Sequence, residues 1–224
     1  MRYIDLKMEE AIANGNCRHV FLYGDNKCIK VSLRETLLRR KGEQKKKSIV
    51  KYLFKPFLKS YDENYRDLKF YKINKNKDIY ENIPKFYGIC RTNFGVGIIV
   101  EYLQNEDNSM LQTIDEYIIQ NGVNNKLLLA ISNLWTNLLK NNIQIRAPHS
   151  KNFLVKEIDG GRLQIYMVDG FGSANLIPLF DYVSYFGRQK IRKKLVVFLN
   201  SLKTEFPEYG EYFSEKLFDI ELYK

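Results

Sequence analysis

The stretch that most constrains this chain runs from Ile143 to Phe171 and reads IQIRAPHSKNFLVKEIDGGRLQIYMVDGF. Phe153–Ile158 and Arg162–Val168 each read as a strand, and Asp159-Gly160-Gly161 lies between them. Glycines there take the positive φ that a tight hairpin turn needs. A hairpin brings its two outer ends side by side. Asn152, just before the first strand, is therefore expected beside Asp169, just after the second. An amide oxygen next to a carboxylate is a ligand pair that suits Mg²⁺, a hard cation that takes oxygen. Taken singly, Asn152 could equally be a turn former and Asp169-Gly170 a plain turn.

Upstream of this stretch the chain reads as strands. Ile12–Val31 supplies two or three, broken by a polar turn at Ala13–His19 and a hairpin turn at Gly24–Lys27. Lys30 sits inside the small apolar run Cys28-Ile29-Lys30-Val31. Burying an ammonium without an anion is costly, so Lys30 either faces water from an edge strand or faces an anion. Ser32–Leu58 is basic and is expected to be a helix followed by a loop near Lys55-Pro56. Asp62–Asn74 reads as a helix with Tyr65, Leu68 and either Tyr71 or Lys72 on its apolar face. Glu81–Gly88 is a loop that becomes extended, and Val96–Leu103 is a buried strand.

Beyond Thr113 the pattern turns helical. Thr113 and Glu116 have the spacing of a capping box. Lys126–Leu139 is strongly apolar, with Leu128, Ile131, Leu134, Trp135 and Leu138 on one face and Trp135 as core. Leu195–Leu202 and Tyr209–Tyr223 are the last expected helices. Strands first and helices after point to an α+β protein of two lobes, 1–103 and 104–224.

Composition narrows the function classes. Three cysteines and two histidines, without metal-ligand spacing, argue against zinc and for a reducing cytoplasm. The N-terminus lacks the apolar run of a secretory signal. No apolar stretch is long enough to span a bilayer. The net charge is +10, much of it in Arg39–Lys41, Lys45–Lys47 and Arg188–Lys194. Such runs suit phosphate-bearing ligands or an anionic membrane surface, or they are simply solvated. They lack interleaved aromatics, which argues against nucleic acid as a partner.

CIKV at Cys28–Val31, IPKFYGICRTNFGVGIIVEYL at Ile83–Leu103, SKNFLV at Ser150–Val155 and VDGFG at Val168–Gly172 carry a further signal in their order and spacing. With them the chain resembles the YrbL-like proteins of the PhoP regulatory network. These are bacterial proteins of the protein-kinase-like superfamily, distantly similar to lipopolysaccharide core kinases. The resemblance implies a two-lobed kinase-like fold: a small N-terminal antiparallel-sheet lobe and a reduced helical C-terminal lobe. It implies ATP and Mg²⁺ as cofactors. Lys30 then resembles the strand lysine on the nucleotide phosphates. Asp67, or Glu63 one turn earlier, resembles the helix acid that pairs with it. Gly15, Asn16 and Arg18 fall in the phosphate loop, although that loop lacks three spaced glycines. Glu101 and Leu103 fall in the hinge that receives adenine. Asn152 and Asp169 resemble the metal ligands, with Gly170 inserted before Phe171-Gly172.

One position departs from the pattern. Kinases place a catalytic Asp five residues before the metal-binding Asn, and here that place, after Arg146, is taken by Ala147. A methyl group cannot orient a substrate hydroxyl or accept its proton. His149 and Ser150 offer no obvious replacement. Two explanations stand: an inactivating substitution in an otherwise active phosphotransferase, or a natural nucleotide-binding pseudokinase. Retention of Lys30, Asn152 and Asp169 favours the first.

Only 52 residues follow Gly172, too few for the usual peptide-docking lobe. A sugar or glycolipid acceptor is therefore expected, with a protein acceptor as the alternative. If Lys45–Lys47 and Arg188–Lys194 face one opening, they form a collar for a polyanionic acceptor such as a sugar phosphate or glycolipid. The expected location is the cytoplasm, with a peripheral place at the inner membrane as its extension.

Overall fold

The computed structural model describes residues 1–14, 17–33, 37–38, 62–172 and 184–214. The protein is mixed α+β and divides into two compact units, Met1–Lys72 with Lys85–Leu103, and Ile73–Pro84 with Gln104–Lys224. Gly15, Asn16, Lys45–Lys47 and most of Ser32–Leu58 lie outside the described residues.

The first unit is built on a six-stranded sheet. Its strands are β1 (Tyr3–Ile4), β2 (Ala11–Asn14), β3 (Arg18–Leu22), β4 (Lys27–Ser32), β5 (Phe86–Thr92) and β6 (Gly95–Glu101), in the spatial order β1-β5-β6-β4-β3-β2. The sheet is antiparallel as expected, with one parallel pair at its edge. Tyr3 and Ile4 pair in parallel with Arg91 and Thr92 on β5, while every other pair of neighbours is antiparallel. Lys30 is opposite Val20 on β3 and Ile98 on β6, so β4 is a central strand and the edge-strand reading of Lys30 fails.

Side chains alternate across a strand, and the two faces of this sheet differ in kind. Phe21, Ile29, Val31 and Cys90 pack with Leu6 into an apolar cluster on one face. Arg18, Cys28 and Lys30 belong to the other, and all three are buried. Helix α1 (Glu63–Ile73) lies within the expected Asp62–Asn74 segment, but its buried side differs in part from the expected one. Tyr65 is exposed and Leu68 half-buried; Tyr71 is buried as expected, but Glu63, Asn64, Asp67 and Phe70 are buried with it. Tyr71 stacks on Phe86 of β5 with ring centroids 4.9 Å apart.

In the second unit, the short strand β7 (Gln112–Thr113) leads into α2 (Ile114–Asn121) through the expected capping box. Thr113 Oγ accepts from Glu116 N–H, and Glu116 Oε2 accepts from Thr113 N–H. Helix α3 (Asn125–Lys140) buries Ile131, Leu134, Trp135 and Leu138 as expected, with Leu127 rather than Leu128 completing the face. The hairpin is β8 (Phe153–Ile158) and β9 (Arg162–Met167), paired from Phe153↔Met167 to Ile158↔Arg162. Gly160 and Gly161 take positive φ at its turn, 77° and 68°.

Helix α4 (Ser184–Glu205) is much longer than Leu195–Leu202 and contains the whole Arg188–Lys194 run. Its Phe198 meets Trp135 and Phe153 at 5.7 and 5.3 Å between centroids. The expected helix from Tyr209 is not α-helical where it is described. Pro207–Phe213 is a 3-10 segment, and residues beyond 214 are outside the described set.

Candidate functional site

In the second unit, the hairpin ends meet as the sequence implies. Val168 N–H donates to Asn152 O at 2.9 Å, which fixes the two outer ends together. The loop Arg146–Asn152 then folds back on the residues after β9. Arg146 N–H donates to Gly170 O at 2.8 Å, and Gly172 N–H donates to Gln144 O at 2.8 Å. Ile145 and Phe171 form an isolated β-bridge. The Arg146 guanidinium donates to Phe171 O at 3.4 Å.

The side chains follow from this frame. Asn152 Nδ2 donates to Ala147 O at 2.8 Å. That bond sets the amide so that Oδ1 is its remaining acceptor. Asp169 Oδ1 accepts from Gly170 N–H at 2.6 Å. Gly170 has a φ of +80°, and a Cβ on it would stand 2.7 Å from Ala147 O and 3.2 Å from both Ala147 Cβ and Asn152 Nδ2. The inserted glycine is therefore required both by its left-handed backbone and by the space it leaves for the loop. Ala147, Asn152 and Asp169-Gly170 form one cluster, with Arg146 adjoining it.

The donor set suits Mg²⁺. It offers one amide oxygen and one carboxylate, both hard, and Mg²⁺ characteristically takes one or two protein oxygens and keeps water or phosphate oxygens for the rest. Among the described residues no group of three or more His, Cys, Asp or Glu side chains could hold a metal by itself. A lone protein cage is thus not what this cluster provides.

Two further contacts of the loop come from α4, and no local sequence pattern marks them. Lys194 Nζ donates to Arg146 O at 2.7 Å, and Ser150 Oγ bonds with Glu205 Oε2 at 3.1 Å. Arg188 Nε donates to Leu139 O at 3.2 Å, at the end of α3 where carbonyls lack helical partners. Two cations of the basic run, both half-buried, therefore reach backbone carbonyls. A second fastening lies toward the end of the hairpin's return strand. Asn82 Nδ2 donates to Ile165 O, and Met167 N–H donates to Asn82 O, both at 2.8 Å. Asn137 Nδ2 in turn donates to Asn82 Oδ1 at 2.7 Å.

In the first unit, the candidate phosphate-side residues gather on the polar face of the sheet. Lys30 is 8% exposed, Arg18 5% and Asp67 0%. The Asp67 carboxylate is ion-paired with the Arg18 guanidinium. Glu63 pairs with Arg66 at 2.8 Å on its own helix. Arg18, expected in the phosphate loop, pairs with Asp67, the acid that the resemblance also offers to Lys30. Burial pushes the Cys28 thiol above its ordinary pKa, and the charges of Lys30 and Arg18 pull it partly back. At the hinge, Glu101 ends β6. Its N–H donates to Lys85 O at 2.8 Å, and its carbonyl receives the Cys28 thiol at 3.9 Å. Leu103 is buried at the end of this unit.

Comparison with known proteins adds three findings. No curated protein matches the chain. Among solved structures, the crystal structure of monomeric WbdD is similar at a TM-score of 0.46 and 11% identity, over 92% of this chain and 41% of that one. The present chain thus spans less than half of that protein's length, and a likeness of this degree carries no weight for activity. The family described as PhoP regulatory network protein YrbL matches residues 4–203. That match covers most of the 224 residues, in both units, and the chain belongs to the PhoP regulatory network protein YrbL family.

Proposed function

We propose that this protein is a nucleotide-binding member of the kinase-like superfamily, an ATP- and Mg²⁺-dependent phosphotransferase architecture with alanine where the catalytic Asp belongs. The observation that carries this reading is the cluster at the hairpin ends: Asn152 bonded to Ala147 O, with Asp169 and Gly170 against the same loop. A kinase needs that arrangement to hold a metal ion beside the acceptor hydroxyl. The resemblance of CIKV, NFLV and DGFG to kinase-like motifs supports it independently.

In this reading the Lys30 ammonium binds nucleotide phosphates, and the backbone of Glu101 and Leu103 receives the base. Asn152 and Asp169 hold Mg²⁺, which when bound neutralises charge on the phosphates. Asn152 also keeps the loop closed through Ala147 O. The buried Arg18–Asp67 pair holds α1 on the sheet. At position 147, a carboxylate would orient the acceptor hydroxyl and take its proton. A methyl does neither, so this chain binds nucleotide and transfers slowly or not at all.

A sugar or glycolipid hydroxyl is the proposed acceptor class, with a cytoplasmic place near the inner membrane. No helix among the described residues is long and apolar enough to cross a membrane, so such a place would be peripheral. The second reading, a regulatory binding module, is favoured by one residue, Ala147 itself. Transfer from labelled ATP separates the two. The Ala147→Asp protein, given a lysate and its lipopolysaccharide fraction, should label an acceptor while the parent does not. Tight MgATP binding by both forms with transfer by neither would establish the binding module.

A further inference from the structure

Strand β9 is the outer member of its sheet, whose order is β7-β8-β9. In an antiparallel ladder, alternate residues turn their N–H and C=O groups towards the partner strand and away from it. Val168 N–H donates to Asn152 O, and the register then runs regularly from Phe153↔Met167 to Ile158↔Arg162. Tyr166, Gln164 and Arg162 therefore bond to β8, and Met167, Ile165 and Leu163 turn their backbone outwards. Asn82 shows the same phase: its O accepts Met167 N–H and its Nδ2 donates to Ile165 O. The rest of that edge, Leu163 N–H and C=O with Ile165 N–H, has no strand beside it among the described residues. Ile165 is fully buried, and a buried backbone N–H is rarely left without a partner.

The same edge lines a recess. Leu163 and Ile165 form one wall with the turn glycines, and Lys126, Leu129 and Asn133 of α3 form the other. Its volume is about 260 Å³, below the roughly 300–1,000 Å³ of a small-molecule pocket. A cofactor-sized ligand is thus a poor fit, whereas an extended chain needs only a strip along the edge. Lys126 and Arg162 are both exposed at the turn end of the recess. The Lys126 ammonium stands 3.2 Å from where a Cβ on Gly161 would be. Beside them Leu129 is 61% exposed. Glu81, the one acid among the described lining residues, accepts from Asn137 Nδ2 at 2.7 Å. On the far side of the turn the charge reverses, with Glu106, Asp107, Glu157 and Asp159. An acidic side chain is therefore drawn to the Lys126 side and kept from the other. A simple anion would leave the strand edge unused, and a second copy of this chain would bring a net charge of +10.

We propose that the outer edge of β9 is a docking site for an extended acidic segment of a partner protein, which adds as a further strand alongside β9 and facing α3. Its backbone pairs with Leu163 and Ile165, in the manner of strand addition to an open sheet edge. One apolar side chain rests on Leu129, and an acidic one reaches Lys126 and Arg162. At about 3.3 Å per residue the edge engages about three or four residues, so the contact is weak and reversible. Nothing in this site depends on the nucleotide-binding reading given above.

The test begins with selection of a random octapeptide phage library on the full chain. Enriched peptides should carry an acidic residue close to an apolar one and no proline between them. A fluorescent copy of one such peptide, followed by anisotropy, should bind the parent less tightly as salt is raised. Lys126→Glu and Arg162→Glu, both at exposed positions, should each weaken it by about tenfold, and Leu129→Gln should weaken it as well. Bound peptide should slow amide exchange at Leu163 and Ile165, and N-methylation of its backbone should abolish binding. The proposal is overturned if no peptide is enriched, if the enriched peptides are basic, or if the charge reversals leave affinity unchanged. It is overturned equally if the two amides exchange as before when peptide is bound. If inorganic phosphate alone slows both amides, the occupant is a small anion. If the chain dimerises in sedimentation and Lys126→Glu disperses it, the occupant is a second copy. Either result also overturns the proposal.

Discussion

Gly170 is the residue on which the candidate metal cluster most depends. Its φ of +80° and the 2.7 Å approach of a would-be Cβ to Ala147 O leave no room for a side chain. Gly170→Ala should cost about 1–3 kcal/mol in backbone strain alone. The loop must also shift to admit the methyl, so stabilisation by Mg²⁺ and nucleotide should fall with it. Urea unfolding and a thermal-shift titration check the two effects separately. The thiols make a second residue-scale prediction. Burial raises the pKa of both Cys28 and Cys90 above the ordinary value of 9.0. A folded-state pKa above the unfolded one contributes stability that is complete below the unfolded value. That contribution is lost as pH rises through the folded value. The melting temperature should therefore decline above pH 9.0, and less steeply in Cys28→Ala. Equal slopes for the two proteins would remove Cys28 from the explanation.

Elements show most clearly what the sequence reveals and what it hides. The β8–β9 hairpin was legible because its turn glycines and alternating strands are local signals, and the meeting of Asn152 with Asp169 follows from hairpin topology alone. The buried side of α1 was not. It is built from Asn64 and Asp67, whose partners Arg18, Lys30 and Val96 lie about thirty to fifty residues away, so no local periodicity marks it. The Arg188–Lys194 run hid in a different way. Long cationic side chains can bury their stems and place their tips on carbonyls, and Arg188 and Lys194 do so. Lys194→Met should accordingly destabilise the protein by about 1.5–3 kcal/mol, the usual worth of a hydrogen bond made by a charged group. It should also speed amide exchange in Arg146–Asn152. If instead it changes only the salt dependence of binding to anionic vesicles, with stability unaltered, α4 is a solvated surface and not a support for the loop.

For the molecule as a whole, the central proposal is that this protein binds MgATP, with Lys30 proposed for the phosphates and Asn152 and Asp169 proposed for the metal. Mixed α+β composition and the order of strands before helices follow from the sequence. That the two-residue strand Tyr3–Ile4 joins β5 in parallel does not, since so short a strand carries no pattern of its own. The most direct measurement is calorimetric titration of the full chain with MgATP, with ATP lacking Mg²⁺, and with adenosine, repeated on Lys30→Met and Asp169→Asn. The parent should bind MgATP more tightly than either other ligand. Lys30→Met should lose affinity for both forms of ATP and keep adenosine. Asp169→Asn should erase the advantage that Mg²⁺ confers while leaving adenosine unchanged. A parent that binds none of the three, or variants that bind MgATP as tightly as the parent does, would contradict the account.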